Sequence, residues 1–243
     1  MRMEISSTTL FHFTRKYEYL KDILKNGFWP RYCIEPDWNG KDLAIPMVCF
    51  CDIPLTQALK HIDSYGNYGI GVTKKFAKEN NITPVFYIDA NRKTKASPLY
   101  ELLNHFIENG PSTDESSISF EEKLLYYIKR VEGCDKNKKK IKFYNEREWR
   151  YVPTINDDIH IEILQKNMEK EKQEEEIKQL CKKTKNNRIK FKPQDIKYIF
   201  VKGENNVKNI LCDIDDIFKS NTLEERNLLK TKIIYTQQIK EDF

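Results

Sequence analysis

Apolar side chains recur with two different periods along the first ninety residues, and the switches between them divide the chain into elements. TLFHFT (9–14) is a short apolar run that reads as a strand, closed by a threonine able to cap the next element. In YEYLKDILKN (17–26) the apolar positions 17, 20, 23 and 24 have helical spacing, and Gly27 stands where a helix-ending glycine belongs. Residues 28–46, FWPRYCIEPDWNGKDLAIP, mix aromatics with prolines and turn formers and read as a structured loop. MVCFCDI (47–53) is the most apolar stretch, too short for a helix and stopped by Pro54, so it reads as a buried strand. Leu55, Leu59 and Ile62 return to helical spacing behind that proline until Gly66 breaks the pattern. IGVTKKFAKEN (70–80) passes from strand to short helix, and TPVFYI (83–88) is a further strand.

Two helical patterns, SPLYELLNHFIEN and SFEEKLLYYIKRVEG, fill residues 97–133, and the second opens on Ser119 and Glu122 at capping-box spacing. They predict an all-helical insertion. CDKNKKKIK (134–142) concentrates five lysines in a loop. FYNEREWRYVP (143–153) reads as a strand whose alternation puts Tyr144, Glu146, Glu148, Arg150 and Val152 on one face, and Asn145, Arg147, Trp149 and Tyr151 on the other. Carboxylates two residues apart repel, and burying either is costly unless it is paired. That face is therefore expected to line a cleft or meet water. Residues 162–190 are so rich in charge that they read as an exposed helix or a mobile excursion. Beyond them come a strand (197–201), two helices (207–218 and 223–230) and a final strand (232–239). The order is α+β, with short antiparallel strands and helices between them, in one domain over 1–243 carrying the helical insertion 97–133 and the charged excursion 162–190.

Composition sharpens this picture in three places. Aromatics at 12% in a chain only 39% hydrophobic and 33% charged point to an aromatic-rich core inside a charged shell. A net charge of +5 tolerates an acidic partner without demanding one. The opening residues lack a secretory pattern and no apolar run is long enough to span a bilayer, which leads to the expectation of a cytoplasmic protein with no membrane partner. The six cysteines fall at irregular spacings with no C-x-x-C pair, so they read as reduced core thiols, with a metal or redox role as the alternative.

His12-Phe13-Thr14, YLKDILKNGF, VCFCDIP, ALKHIDSY and, far downstream, EREW together resemble the layout of ADP-ribosyltransferases of the diphtheria-toxin and poly(ADP-ribose) polymerase type. The resemblance covers about residues 10–70 and 143–153. The whole pattern, from FHFT through VCFCDIPL to FYNEREWRYVP, is also similar to the AbiGi family of abortive phage infection proteins, associated with phage defence and toxin–antitoxin contexts. The transferase resemblance implies split antiparallel sheets with flanking helices, and NAD as substrate. It implies that His12 bonds a ribose hydroxyl and that Thr14 lies near the carboxamide. Tyr65, or Tyr68 one helical turn on, would stack on the nicotinamide. Glu148 would hold the ribose 2′-hydroxyl and stabilise the oxocarbenium-like transition state, and Glu146 would position the acceptor.

The sequence departs from that family at Phe13, which takes the place of a glycine. Three functions therefore stand side by side. One is an NAD-dependent transferase acting as an intracellular toxin or defence effector on a nucleic acid or protein, with a neutralising antitoxin as its partner. Another is a non-catalytic antitoxin-like or nucleic-acid-binding module on the same fold, which Phe13 favours. The third is a metal-dependent nuclease built on Asp52, Glu146, Glu148 and a histidine, weakened because Glu-Arg-Glu lacks the expected lysine.

Overall fold

The computed structural model describes residues 7–38, 41–89, 98, 101, 104–105, 108, 120–134, 140–156, 158–165 and 168–242. The chain forms two compact units, each assembled from separated stretches: Met1–Phe28, Cys49–Thr83 and Ile189–Phe243 in one, Trp29–Val48 and Pro84–Arg188 in the other.

The first unit is a twisted sheet around β1 (Thr9–Thr14), which pairs antiparallel with β4 (Tyr68–Thr73) from Thr9↔Thr73 to Thr14↔Tyr68. On its other side Phe11 lies opposite Cys51, the last residue of β3 (Lys41–Cys51). Beyond β4 comes β12 (Ile196–Val201), antiparallel, and then β13 (Ile233–Tyr235), parallel to β12. Parallel neighbours need a crossover. It is supplied by α6 (Glu204–Ile217) and α7 (Leu223–Lys230), the latter started by a Thr222/Glu225 capping box.

Alternation along β1 gives the sheet two aromatic faces. Phe11 and Phe13 pack with Phe200, and with Ile62 of α2 (Ala58–Tyr65) and Ile239 of α8 (Thr236–Asp242). The intervening His12 turns the other way, into a set of rings made by Phe28, Phe50, Phe76 and Phe191. The helix α1 (Tyr17–Asn26) buries Leu20, Ile23 and Leu24, three of the four positions its spacing picks out. Thr73 caps α3 (Lys74–Glu79) by accepting the Phe76 N–H at 3.1 Å, so residues 70–80 pass from strand to helix as expected. The final expected strand is instead β13 followed by α8. Thr236 is buried there and its hydroxyl meets the Asn67 side chain and the Lys202 carbonyl, which turns the backbone out of the sheet.

The second unit corrects the reading of residues 28–46 as a loop. Residues 31–38 form β2 (Arg31–Trp38), antiparallel to β3 from Arg31↔Met47 to Trp38↔Lys41. The register shifts between Glu35 and Trp38, where Pro36 has no N–H to give the ladder. Prolines and turn formers masked a strand that tolerates them at its irregular end. The other edge of β3 takes β11 (Glu162–Gln165) along Lys41–Ala44, and Leu43–Val48 are buried. The charged stretch holds the exposed helix that is one of its two readings: α5 (Lys170–Lys183) is largely solvated and lays Leu180 and Cys181 against Tyr32, Ala44 and Leu164. Two or three apolar residues at one helical pitch suffice to dock a helix that is otherwise solvated.

Most of the first half of the 97–133 insertion lies outside the described residues, as does Ser119 of the expected capping box. Its second half is only partly helical. A short α4 (Phe120–Leu125) gives way to β7 (Ile128–Arg130), parallel to β6 (Phe86–Ile88). The expected strand 83–88 is split into β5 (Thr83–Pro84) and β6. The lysine-rich loop is closed as a hairpin by β8 (Gly133–Cys134) and β9 (Lys140–Ile141); residues 135–139 lie outside the described residues. Among the described residues no helix is long and apolar enough to cross a membrane.

Gly66 ends α2 at φ +126°, and a Cβ placed there would lie 2.3 Å from the Thr14 carbonyl oxygen. Gly66→Ala is expected to destabilise the first unit by about 2 kcal/mol or more through strain and displacement of β1. A fall in the urea midpoint with little change in slope checks it.

Candidate functional site: a buried charge network

Phe143–Pro153 does not run as one strand. Phe143–Glu146 makes a single 3-10 turn, and Arg147 follows in the left-handed region at φ 47°, ψ 52°. Only then does β10 (Glu148–Tyr151) begin, so Glu146 and Glu148 do not share an unbroken strand face. Nor do Glu148 and Arg150 meet water, although Tyr144 does. Glu148 is 4% exposed and Arg150 fully buried, while Trp149 and Tyr151 are half-buried.

The carboxylates are buried because cations come in with them. Lys129, from β7, bonds the Glu148 carboxylate directly, lies 3.1 Å from Glu146 and 4.0 Å from Glu35 of β2, and stands over the Phe143 ring. Arg150 distributes its donors over four acceptors. Nε goes to the second oxygen of Glu148 at 2.5 Å, Nη2 to Glu35, and Nη1 to the carbonyls of Tyr126 at 2.9 Å and Ile128 at 3.4 Å. The Glu148 N–H donates to the Tyr87 hydroxyl at 2.8 Å, and its carbonyl receives the Val85 N–H. Tyr126 extends the network, its hydroxyl accepting the Ile161 N–H at 2.9 Å.

The charge balance follows from these partners. Burial by itself pushes the Glu148 carboxyl up, but the charges of Arg150 and Lys129 and their hydrogen bonds outweigh it and hold the group at about 2. Burial pulls the Lys129 ammonium down, and Glu148, Glu35 and Glu146 more than reverse this, holding it well above the ordinary lysine value. Burial raises the Tyr87 phenol. At neutral pH Glu148 is thus an anion with both oxygens engaged by cations. Such a group serves as a strut, and it accepts a proton or a ligand hydroxyl only if Lys129 or Arg150 withdraws.

The other residues singled out by sequence lie in the first unit. His12 donates or accepts through Nδ1 at 2.8 Å from the Cys49 carbonyl, edge-on to Phe28, and burial lowers its pKa. Thr14 ends β1 directly opposite Tyr68, so His12, Thr14 and Tyr68 share one face of the β1–β4 pair. Tyr68 meets the ring of Tyr17, whose hydroxyl donates to Asp213 at 2.6 Å, and burial raises its own phenol. Tyr65 is 44% exposed at the end of α2, near the His61 ring. Tyr65 and Tyr68 are not one helical turn apart, because Gly66 ends the helix between them. Asp52 accepts from Lys74 at 2.7 Å. Among the described residues no three His, Cys, Asp or Glu side chains are placed to hold a metal. Around Glu148 the cationic positions are taken by Lys129 and Arg150.

Sequence reasoning missed Glu35, Lys129, Tyr126 and Tyr87. The one available signal is Lys129 with its neighbour Arg130, two cations inside the otherwise apolar and aromatic run LLYYIKRV.

The chain is a mixed α+β protein related to abortive phage resistance proteins. The family model described as "Putative abortive phage resistance protein AbiGi, antitoxin" matches residues 26–202. The chain is 32% identical over 229 residues to the abortive phage resistance protein AbiGi of Lactococcus lactis subsp. cremoris, covering 84% of this chain and 90% of that protein. It belongs to the AbiGi family. Neither description names a transferase, and no solved structure matches the chain. The matched region contains Glu35, Lys129, Glu146, Glu148 and Arg150; His12 and Thr14 lie before it.

Lys129→Met leaves three carboxylates around one guanidinium and is expected to destabilise the second unit by about 3–5 kcal/mol, measured by urea unfolding. Glu148 has a folded-state value below its unfolded one, so the stability it contributes is full above about pH 5. It is lost as pH falls from the ordinary glutamate range toward 2. Glu148→Gln is expected to be less stable at pH 7 and to show a flatter decline between pH 5 and 3.

Proposed function

We propose that the chain is a non-catalytic antitoxin of a phage-resistance system, which restrains a toxic protein partner by binding it. Membership of a family whose description reads "antitoxin" supports the class. The observation that carries the non-catalytic part is the state of Glu148. The carboxylate that a transferase would place beneath a departing nicotinamide is here buried, ionised and held on both oxygens by Lys129 and Arg150. Stabilising a developing oxocarbenium ion needs an anion whose field is not already cancelled by adjacent cations. Glu146 shares Lys129 at 3.1 Å, which lowers its value as an acceptor-positioning group for the same reason. His12, expected on a ribose hydroxyl, has its Nδ1 on the Cys49 carbonyl among phenylalanines. Phe13, in the place of the transferase glycine, packs against Phe11 and Phe200.

Two measurements test this reading. Expressed alone from an inducible promoter, the chain is expected to leave bacterial growth unchanged, whereas an ADP-ribosylating toxin arrests it. Isothermal titration of NAD into the purified chain, with a parallel assay for free nicotinamide, is expected to give neither heat nor product. Growth arrest, or nicotinamide release, that Glu148→Gln abolishes would restore the transferase reading with His12, Thr14, Tyr65, Tyr68, Glu146 and Glu148 as its site.

A further inference from the structure

Helix α7 (Leu223–Lys230) carries leucines on two sides. Leu229 is fully buried beneath it, while Leu223 and Leu228 are 62% and 58% exposed. With Glu224, Asn227 and Thr231 these two leucines line a groove of about 630 Å³ along the helix. At about 100° per residue the five lie within about 140° of arc, and Leu229 falls outside it. Residues 223–231 stand beyond the region 26–202 that the family model matches.

One exposed leucine on a helix is ordinary, but two on the same arc beside a groove mark a contact surface. The other charges of α7 are already committed. Arg226 and Lys230 both pair with Asp215, and Glu225 closes the capping box with Thr222 and accepts from Gln194. Just past the helix, Lys232 donates to the carbonyls of Pro193 and Ile196. Glu224 alone lines the groove as a charge, and among the described residues it enters no ion pair. The positive pole of the helix explains an acid in the first turn. It gives no reason for leucines to share that acid's face.

We propose that this groove receives an amphipathic helix of the toxic partner, apolar along one side and carrying a lysine or arginine that answers Glu224. That the partner is a toxin rests on the antitoxin reading. Charge decides against a second copy of the chain. A two-fold contact sets one patch against itself, so the patch must be its own complement. This one holds a carboxylate and no cation, and the nearby cations Arg226, Lys230 and Lys232 are engaged elsewhere, so two copies would bring Glu224 against Glu224. The cation therefore comes from a different protein. The shape decides for a helix. The groove is the outer side of a helix whose backbone is bonded internally, so it offers no strand edge and is filled by side chains. Apolar residues one turn apart on an incoming helix form a ridge that seats between Leu223 and Leu228.

The test uses the full chain and a displayed library of peptides of about 16 residues, long enough to form a helix. Selection on the unaltered chain is set against counter-selection on Leu223→Asp/Leu228→Asp. Enriched peptides are expected to carry apolar residues one turn apart, with Lys or Arg at one end of the stripe. A fluorescein-labelled copy of such a peptide, read by anisotropy, is expected to bind the double variant at least about 30-fold more weakly, the size of a lost hot spot. Glu224→Lys is expected to weaken it about 3- to 10-fold, and more at low salt. Both leucines are exposed, so the urea midpoint of the double variant is expected to match that of the unaltered chain. Glu171→Lys, at an exposed position of α5, leaves binding unchanged. Three results would each overturn the proposal: no enrichment over the double variant, enrichment of acidic peptides, or a concentration-dependent dimer in sedimentation that Leu228→Asp abolishes. The selection contains no toxin, so its failure strikes the groove alone, whereas the growth and nicotinamide measurements decide the antitoxin reading.

Discussion

A guanidinium with no exposed surface has to be matched donor by donor, and in the second unit that requirement falls on Arg150. Its acceptors come from β2, from the Tyr126–Ile128 stretch and from β10 itself, so three pieces of chain distant in sequence must arrive together before the charge can leave water. A slip of one residue along β10 would present Trp149 in place of Glu148 or Arg150 and strand the remaining charges. Apolar packing tolerates near misses, whereas this cluster does not, because every unmatched member keeps its full desolvation cost. The left-handed Arg147 belongs to the same constraint: it lets Glu146 return to Lys129 from a turn that the strand could not supply.

How much of this the amino-acid sequence discloses depends on where the determining contact lies. Helix α1, with its spacing and Gly27, the strand-to-helix passage through Thr73, and helix α7 with its capping box are set by neighbours within a turn or two, and they read directly. Strand β2 does not, because Arg31–Trp38 owes its extension to the edge of β3 and to a proline tolerated at an irregular register. The same holds for α5, whose few docking residues look negligible beside its charge until Tyr32, Ala44 and Leu164 are placed under them. The candidate carboxylates were legible as a pair, Glu146 and Glu148. Their state was not, since a carboxylate's role depends on which cation reaches it, and Lys129 is nineteen residues away from Glu148 in the chain. The resemblance to AbiGi proteins, carried by the whole pattern, is the one that the family match supports.

The first unit is threaded through the chain in three pieces, and its last piece begins only at Ile189. Strand β12, which lies between β4 and β13, belongs to that piece. During synthesis β1 and β4 are therefore made long before the strand that covers their open edge, while the second unit has all its residues by Arg188. Until the C-terminal segment emerges from the ribosome, β4 offers an unpaired apolar edge to whatever strand is nearby. Truncated or stalled chains of this protein are thus the forms most exposed to aggregation and proteolysis, and the amount of working protein in a cell is tied to complete translation.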